Sequence, residues 1–171
     1  MNSSVQSIQG TQTRKLVYTA LLIALAFIGA QIKIMGSIAL DALPAFFAAL
    51  TLGPVAGAAV GAIGHILTAI TSGFPMSLPI HLVVTLTMAC ICWLYGYLNK
   101  RINLIVNSII AILLNGIVAT FLSVFVMQLL GMIPAAKETF LMLVGPLSLA
   151  STINVVMAAI LYNLLKGKIK L

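Results

Sequence analysis

The side chains of this chain best suited to acid–base, metal or nucleophilic chemistry are His65, His81, Asp41, Glu138, Cys90 and Cys92. Their spacing argues against catalysis. Asp41 and Glu138 both fall in or beside expected external loops, so no buried acid/base pair is available. His65 and His81 stand sixteen residues apart on different expected helices, which is not the helical spacing of a zinc site, and no metal ligand set is expected. Cys90 and Cys92 lie two apart, on different faces of one helix, and read as small core residues. No Walker-type glycine loop is present, so any step driven by ATP belongs to partner subunits and this chain is expected to bind no cofactor of its own. What remains is binding.

The stretch Gly53–His81, GPVAGAAVGAIGHILTAITSGFPMSLPIH, must position both histidines. Gly53, Gly57 and Gly61 recur every fourth residue and make a smooth helix stripe against which another backbone packs closely. His65 follows on the same apolar run, where an unpaired ring is costly. Either it bonds within a tightly packed bundle or it forms the floor of a cavity. The outer part, Thr68 to His81, is the better place for ligand contacts, and His81 is the stronger candidate of the two.

Composition dictates the setting. Hydrophobic residues make up 62%, charged residues 6%, and mean hydropathy is +1.21. A globular domain carries about a quarter charged residues. The chain therefore reads as an integral membrane protein without a soluble domain, all-α, because apolar runs that can cross about 30 Å of hydrocarbon recur along it. The basic excess is not a nucleic-acid surface. Arg14 and Lys15, then Lys100 and Arg101, then Lys166, Lys168 and Lys170 flank apolar runs, while Lys33, Asp41, Lys137 and Glu138 cancel. With six crossings, all three clusters share one face, and the positive-inside rule makes that face and both termini cytoplasmic. A multi-pass protein of a bacterial plasma membrane is expected.

Residues 1–12 are expected to be a mobile cytoplasmic tail and 13–171 a single six-helix membrane domain. Helix 1 is expected over about Thr13–Ile32, retained rather than cleaved as a signal peptide, with an external loop from Lys33 to Leu40. Asp41 is the expected N-cap of helix 2, which ends near Leu52 and is too short to cross. Gly53-Pro54 turns tightly into helix 3, which runs to about Ser72. Helix 4 carries His81, Thr85, Met88, Cys92 and Tyr95 on one face, with Trp93, Tyr95 and Tyr97 as interfacial anchors. Helix 5 is expected from Ile102 to Leu130, and helix 6 from Pro146 to Leu165 after an external loop with a short interfacial helix. Polar residues gather toward the outer side: Gln31, Lys33, Asp41, Thr68, Ser72, His81, Thr85 and Gln128, with Phe46, Phe47, Phe74 and Met88 as apolar walls. That mixture suits a small-molecule site. Asn115 and Asn154 either bridge helices or touch the ligand.

The phrases IKIMGSIALDALPAFFAALTLGPVAGAAVGAIGHILTAITSGFP and LPIHL, with the alanine spacing of helix 1, resemble the substrate-binding S components of energy-coupling factor (ECF) transporters over nearly the whole chain. The resemblance implies a subunit that captures a vitamin or vitamin precursor outside the cell and works with a transmembrane coupling protein and two cytoplasmic ATPases. It further implies that the face with Ala20 and Ala24 meets the coupling protein and that the Lys33–Leu40 loop gates the pocket. The segments SIALDALPAF, GHILTAITSGFP and LPIHL are most similar to the subgroup assigned to α-ribazole, a cobalamin precursor. Phe74 and Met88 would then face its benzimidazole, and His81 and Asn154 its ribose. Pantothenate, folate and thiamine make similar demands. The readings from other classes are a small membrane-embedded enzyme using His65 and His81, and an assembly or pore subunit.

Overall fold

The computed structural model describes residues 3–31, 33–34, 38–39 and 41–168, and the side chains of residues 10–31 and 41–168. It is almost wholly helical. Helix α1 (Ser3–Gly29) is followed by two-residue strands β1 (Lys33–Ile34) and β2 (Ile38–Ala39), paired antiparallel with Lys33 opposite Ala39. Then come α2 (Leu43–Thr51), α3 (Pro54–Thr71) and α4 (Leu78–Leu98). The fourth span joins α5 (Leu104–Leu113) to α6 (Ala119–Leu129) through a π-turn at Leu114–Val118, and α7 (Ala136–Leu165) ends the bundle. Among the described residues five helical stretches are long and apolar enough to cross a membrane; α2, with nine residues or about 14 Å, is not.

Proline sets three of these starts. Pro44, Pro54 and Pro79 each occupy the first turn of their helix, where a missing N–H breaks no bond. Gly53, at φ 106° and ψ 177°, makes the reversal between α2 and α3 in a conformation open essentially to glycine alone. Gly53 is thus the hinge of the hairpin, and the packing stripe is Gly57, Gly61 and Gly64. A methyl group built on Gly57 would lie 2.5 Å from Ala49 Cβ of α2, one on Gly61 3.3 Å from the Met88 carbonyl of α4, and one on Gly64 2.9 Å from Ala26 Cβ of α1. One helix thereby touches three neighbours at backbone distance. Helix α2 lies at the centre, with Pro44, Ala45, Phe46, Ala48, Ala49 and Leu50 buried.

Several expected boundaries change. Helix α1 begins at Ser3, ten residues before the expected start, so the expected tail is largely helical. Asp41 is not a cap: Ala42 holds the N-cap position with no side-chain cap bond. The loop expected over Gly131–Gly145 shrinks, because α7 starts at Ala136 and passes through Pro146. Glu138 in its first turn complements the helix dipole, and a membrane bundle tolerates the one backbone bond that proline forfeits. Tyr95 is a core residue rather than an anchor. It is 1% exposed, meets Phe46 edge-on at 5.6 Å, shares a 2.9 Å hydrogen bond with Ser108, and its carbonyl accepts from Asn107 Nδ2 at 2.8 Å. Trp93 and Tyr97 remain exposed and stacked, with the Arg101 guanidinium 3.7 Å above the Tyr97 ring.

Candidate functional site

A cavity of about 150 Å³ opens where α3 ends and α4 begins. One wall comes from Asp41 and Ala42, from Gly61, His65, Thr68 and Ser72 of α3, and from His81, Val84 and Met88 of α4. The opposite wall comes from Asn115, Thr120, Ser123 and Met127 of the fourth span and from Leu143, Leu147, Ser151 and Asn154 of α7. Pro75 and Met76 edge the opening.

The two histidines meet. His65 Nε2 and His81 Nδ1 are 3.2 Å apart and share one hydrogen, and the rings overlap with centroids 5.4 Å apart at 29°. Phe74 meets the His81 ring edge-on at 5.7 Å. His81 is 5% exposed, and its Nε2 has no hydrogen-bond partner among the described residues. A buried polar atom of that kind is costly unless something bonds to it. The pairing has a simple topological cause: His65 and His81 are each eight residues from Gly73, at the centre of the turn between two antiparallel helices.

Asp41 reaches the cavity because α2 is short. The hairpin at Gly53 fixes the far end of α2, and at 1.5 Å per residue the near end stops beside the second half of α3, level with His65 to Thr68. Its place beside the expected loop stands, and the length of α2 is what brings it to the cavity. Asp41 lies outside the five long helices, partly buried, on the connection leading into α2. Burial pushes its carboxyl up to about 6, against the opposing pull of the Thr68 hydroxyl and the N–H groups of Asp41 and Ala42. Among the described lining residues it is the one with a formal charge, and no Lys or Arg joins it.

The opposite wall is amide and hydroxyl. Asn115 Nδ2 donates to Ser151 Oγ at 3.2 Å, Asn154 Nδ2 to the Ala150 carbonyl at 2.9 Å, Thr120 to the Gly116 carbonyl at 2.6 Å and Ser123 to the Ala119 carbonyl at 2.8 Å. These hydroxyls spend their hydrogens within the protein, so what they offer a ligand is mainly lone pairs. Asn115, Ala119, Ser123 and Met127 follow each other at spacing four, which walks about 40° per step around an α-helix. The wider π-turn takes back part of that drift and keeps them on one wall. Gly116 allows it, since a methyl there would lie 2.8 Å from Ser148 Cα of α7.

Of the candidate ligand residues, Asp41, His65, His81, Met88 and Asn154 line the cavity. Phe74 packs behind His81, and Thr85 Oγ1 donates to the His81 carbonyl at 2.7 Å, so both touch the site through His81. Gln128 and Gln31 are exposed away from the lining, with Gln31 Nε2 3.4 Å from the Phe27 carbonyl. The Lys33 side chain and half of the expected gating loop, residues 35–37 and 40, lie outside the described residues. Ala20 and Ala24 are exposed on α1, whereas Ala26 and Ala30 are buried. Thr120, Ser123, Met127 and Met76 carry no signal in the sequence; the spacing of four from Asn115 points to two of them, Ser123 and Met127, only once the π-turn is allowed for. Among the described residues no group of three or more His, Cys, Asp or Glu could hold a metal ion. The arrangement can enclose and orient a small molecule.

No curated protein and no solved structure matches the chain. The sequence model of one family, the ECF transporter substrate-specific component, matches residues 14–166, which takes in every element of the cavity wall. A bundle of apolar helices around a mostly apolar cavity with a few directed polar groups suits a membrane-embedded substrate-binding subunit, and the chain belongs to the family of ECF transporter substrate-specific components.

Proposed function

We propose that the cavity between Asp41, His65 and His81 on one side and Asn115 and Asn154 on the other captures a vitamin or vitamin precursor from outside the cell. The chain hands it on with a transmembrane coupling protein and two ATPases that supply the ATP-driven step. Both termini lie in the cytoplasm in this reading, and the cavity opens outward. The observation that carries it is the cavity's chemistry: methionine and aliphatic walls with directed imidazole, carboxylate, amide and hydroxyl groups. α-Ribazole is the best-matched ligand, its benzimidazole against Met88 and Met127 and its ribose within reach of Asp41, His81 and Asn154. Thiamine, pantothenate and folate are the alternatives. At about 150 Å³ the cavity is below the roughly 300–1,000 Å³ of drug-sized ligand sites, so the walls must part to admit a nucleoside. A membrane enzyme built on the histidines is not favoured, since the family is a transporter component.

Purification in detergent followed by mass spectrometry of the co-purifying small molecule tests the reading. A vitamin-like compound that binds the isolated protein without ATP hydrolysis is the expected result. Ala20→Leu and Ala24→Leu, on the exposed face of α1, should leave that binding intact and abolish uptake in cells. Absence of binding across a broad vitamin panel would defeat the proposal.

A further inference from the structure

We infer that Asp41 makes this cavity a site for uncharged or cationic ligands that carry O–H or N–H donors, and that it excludes carboxylate ligands. The inference rests on the capture function proposed above and narrows its substrate class. Four observations support it. Asp41 supplies the formal charge of the described lining, with no Lys or Arg among the described lining residues. The hydroxyls of Thr120 and Ser123 already donate to backbone carbonyls, at 2.6 and 2.8 Å, so they present acceptors rather than donors to the cavity. His65 and His81 spend one ring nitrogen each on the other, which leaves His81 Nε2 as the enclosed polar atom still open to a ligand. Burial already disfavours the Asp41 anion, so a second anion beside it raises that cost, whereas a cation or a set of hydroxyl donors relieves it.

A ligand that meets these terms places hydroxyl or amine hydrogens toward Asp41 and one polar ring atom toward His81. Nucleoside-like heteroaromatics and quaternary or protonated heterocycles have this pattern. Vitamins with a free carboxylate do not. Pantothenate and folate, compatible with the fold, are thereby set apart from α-ribazole and thiamine.

The experiment is calorimetric titration of the full-length protein in detergent with α-ribazole, thiamine and two matched pairs: pantothenate with panthenol, and nicotinate with nicotinamide. Asp41→Asn and Lys33→Gln are titrated alongside, with thermal unfolding as the check that each variant is folded. The expected result is binding of at least one uncharged or cationic probe, with any carboxylate member of a pair at least about tenfold weaker than its uncharged twin. Asp41→Asn should shrink that ratio. A carboxylate that binds as tightly as its twin, a ratio that Asp41→Asn does not move, or a carboxylate affinity that disappears in Lys33→Gln would each overturn the inference while leaving small-molecule capture intact. Silence of every probe, with nothing co-purifying, would instead defeat the capture function and the inference with it.

Discussion

Replacing His81 by Phe separates what its ring does by shape from what its nitrogens do. The aromatic volume and the edge-on packing with Phe74 are kept, while the 3.2 Å hydrogen bond to His65 and the buried Nε2 are lost. His65 is left partly buried with a nitrogen that has lost its partner, which costs about 1–3 kcal/mol of folding stability. Ligand binding loses one hydrogen bond, about 0.5–1.5 kcal/mol, or roughly two- to twelvefold in affinity. Thermal unfolding reads the first quantity and calorimetric titration with the co-purifying ligand the second. His65→Phe should lower stability by a similar amount but affinity by less, because His65 touches the site mainly through His81. The double variant should be less destabilised than the two singles together, since neither ring is then left with an orphaned nitrogen. Cys90→Ala, on the exposed face of α4, is the control. If His81→Phe binds ligand as tightly as Cys90→Ala does, His81 is a packing residue and the placement of the site is wrong.

Glycine substitutions test the packing. Gly57→Ala puts a methyl 2.5 Å from Ala49 Cβ and 2.7 Å from Ala49 Cα, so helices α2 and α3 must move apart, and a loss of about 1–3 kcal/mol in detergent unfolding is expected. Gly145→Ala, inside α7 with nothing within 4 Å, should be neutral or stabilising by up to about 1 kcal/mol; equal effects at the two positions would contradict the packing described. The raised Asp41 carboxyl gives a pH signature. Its folded value of about 6 lies above the ordinary 3.8, so the folded state holds the proton more tightly and stability falls as pH rises from about 4 to 6, then levels. A shift of that size corresponds to at most about 3 kcal/mol. Asp41→Asn should therefore unfold at a higher temperature than the parent above pH 6 and converge with it near pH 4; parallel pH profiles would refute this.

Much of the fold was legible because the bilayer leaves few options. Apolar runs, their flanking basic pairs and prolines in the first turns marked where α2, α3 and α4 begin and why α2 falls short. The start of α7 was not legible, because Pro146 signals a boundary as readily as it sits inside a helix held by neighbours. The π-turn has no residue signature at all. At the site, counting depth separately along α3 and α4 split His65 from His81, whereas their equal distance from Gly73 would have joined them. Asp41 reads from sequence as the N-cap of α2 and as a polar candidate for the site; the cap is Ala42 instead, and how Asp41 comes to border the cavity shows only when the length of α2 is followed to its end. Gln31 and Gln128 were chosen for polarity near one end of the bundle, and polarity does not say which way a helix faces.

The π-turn at Leu114–Val118 holds one residue more than an α-helical path needs. Deleting a residue elsewhere in this span ahead of Ser123 would swing everything beyond it by about 100° and turn Ser123 and Met127 away from the cavity. A deletion within the turn only tightens it to an ordinary helical turn. A one-residue deletion is therefore tolerable at this turn, where the wall opposite Asp41 keeps its register and the rest of the bundle need not be rebuilt.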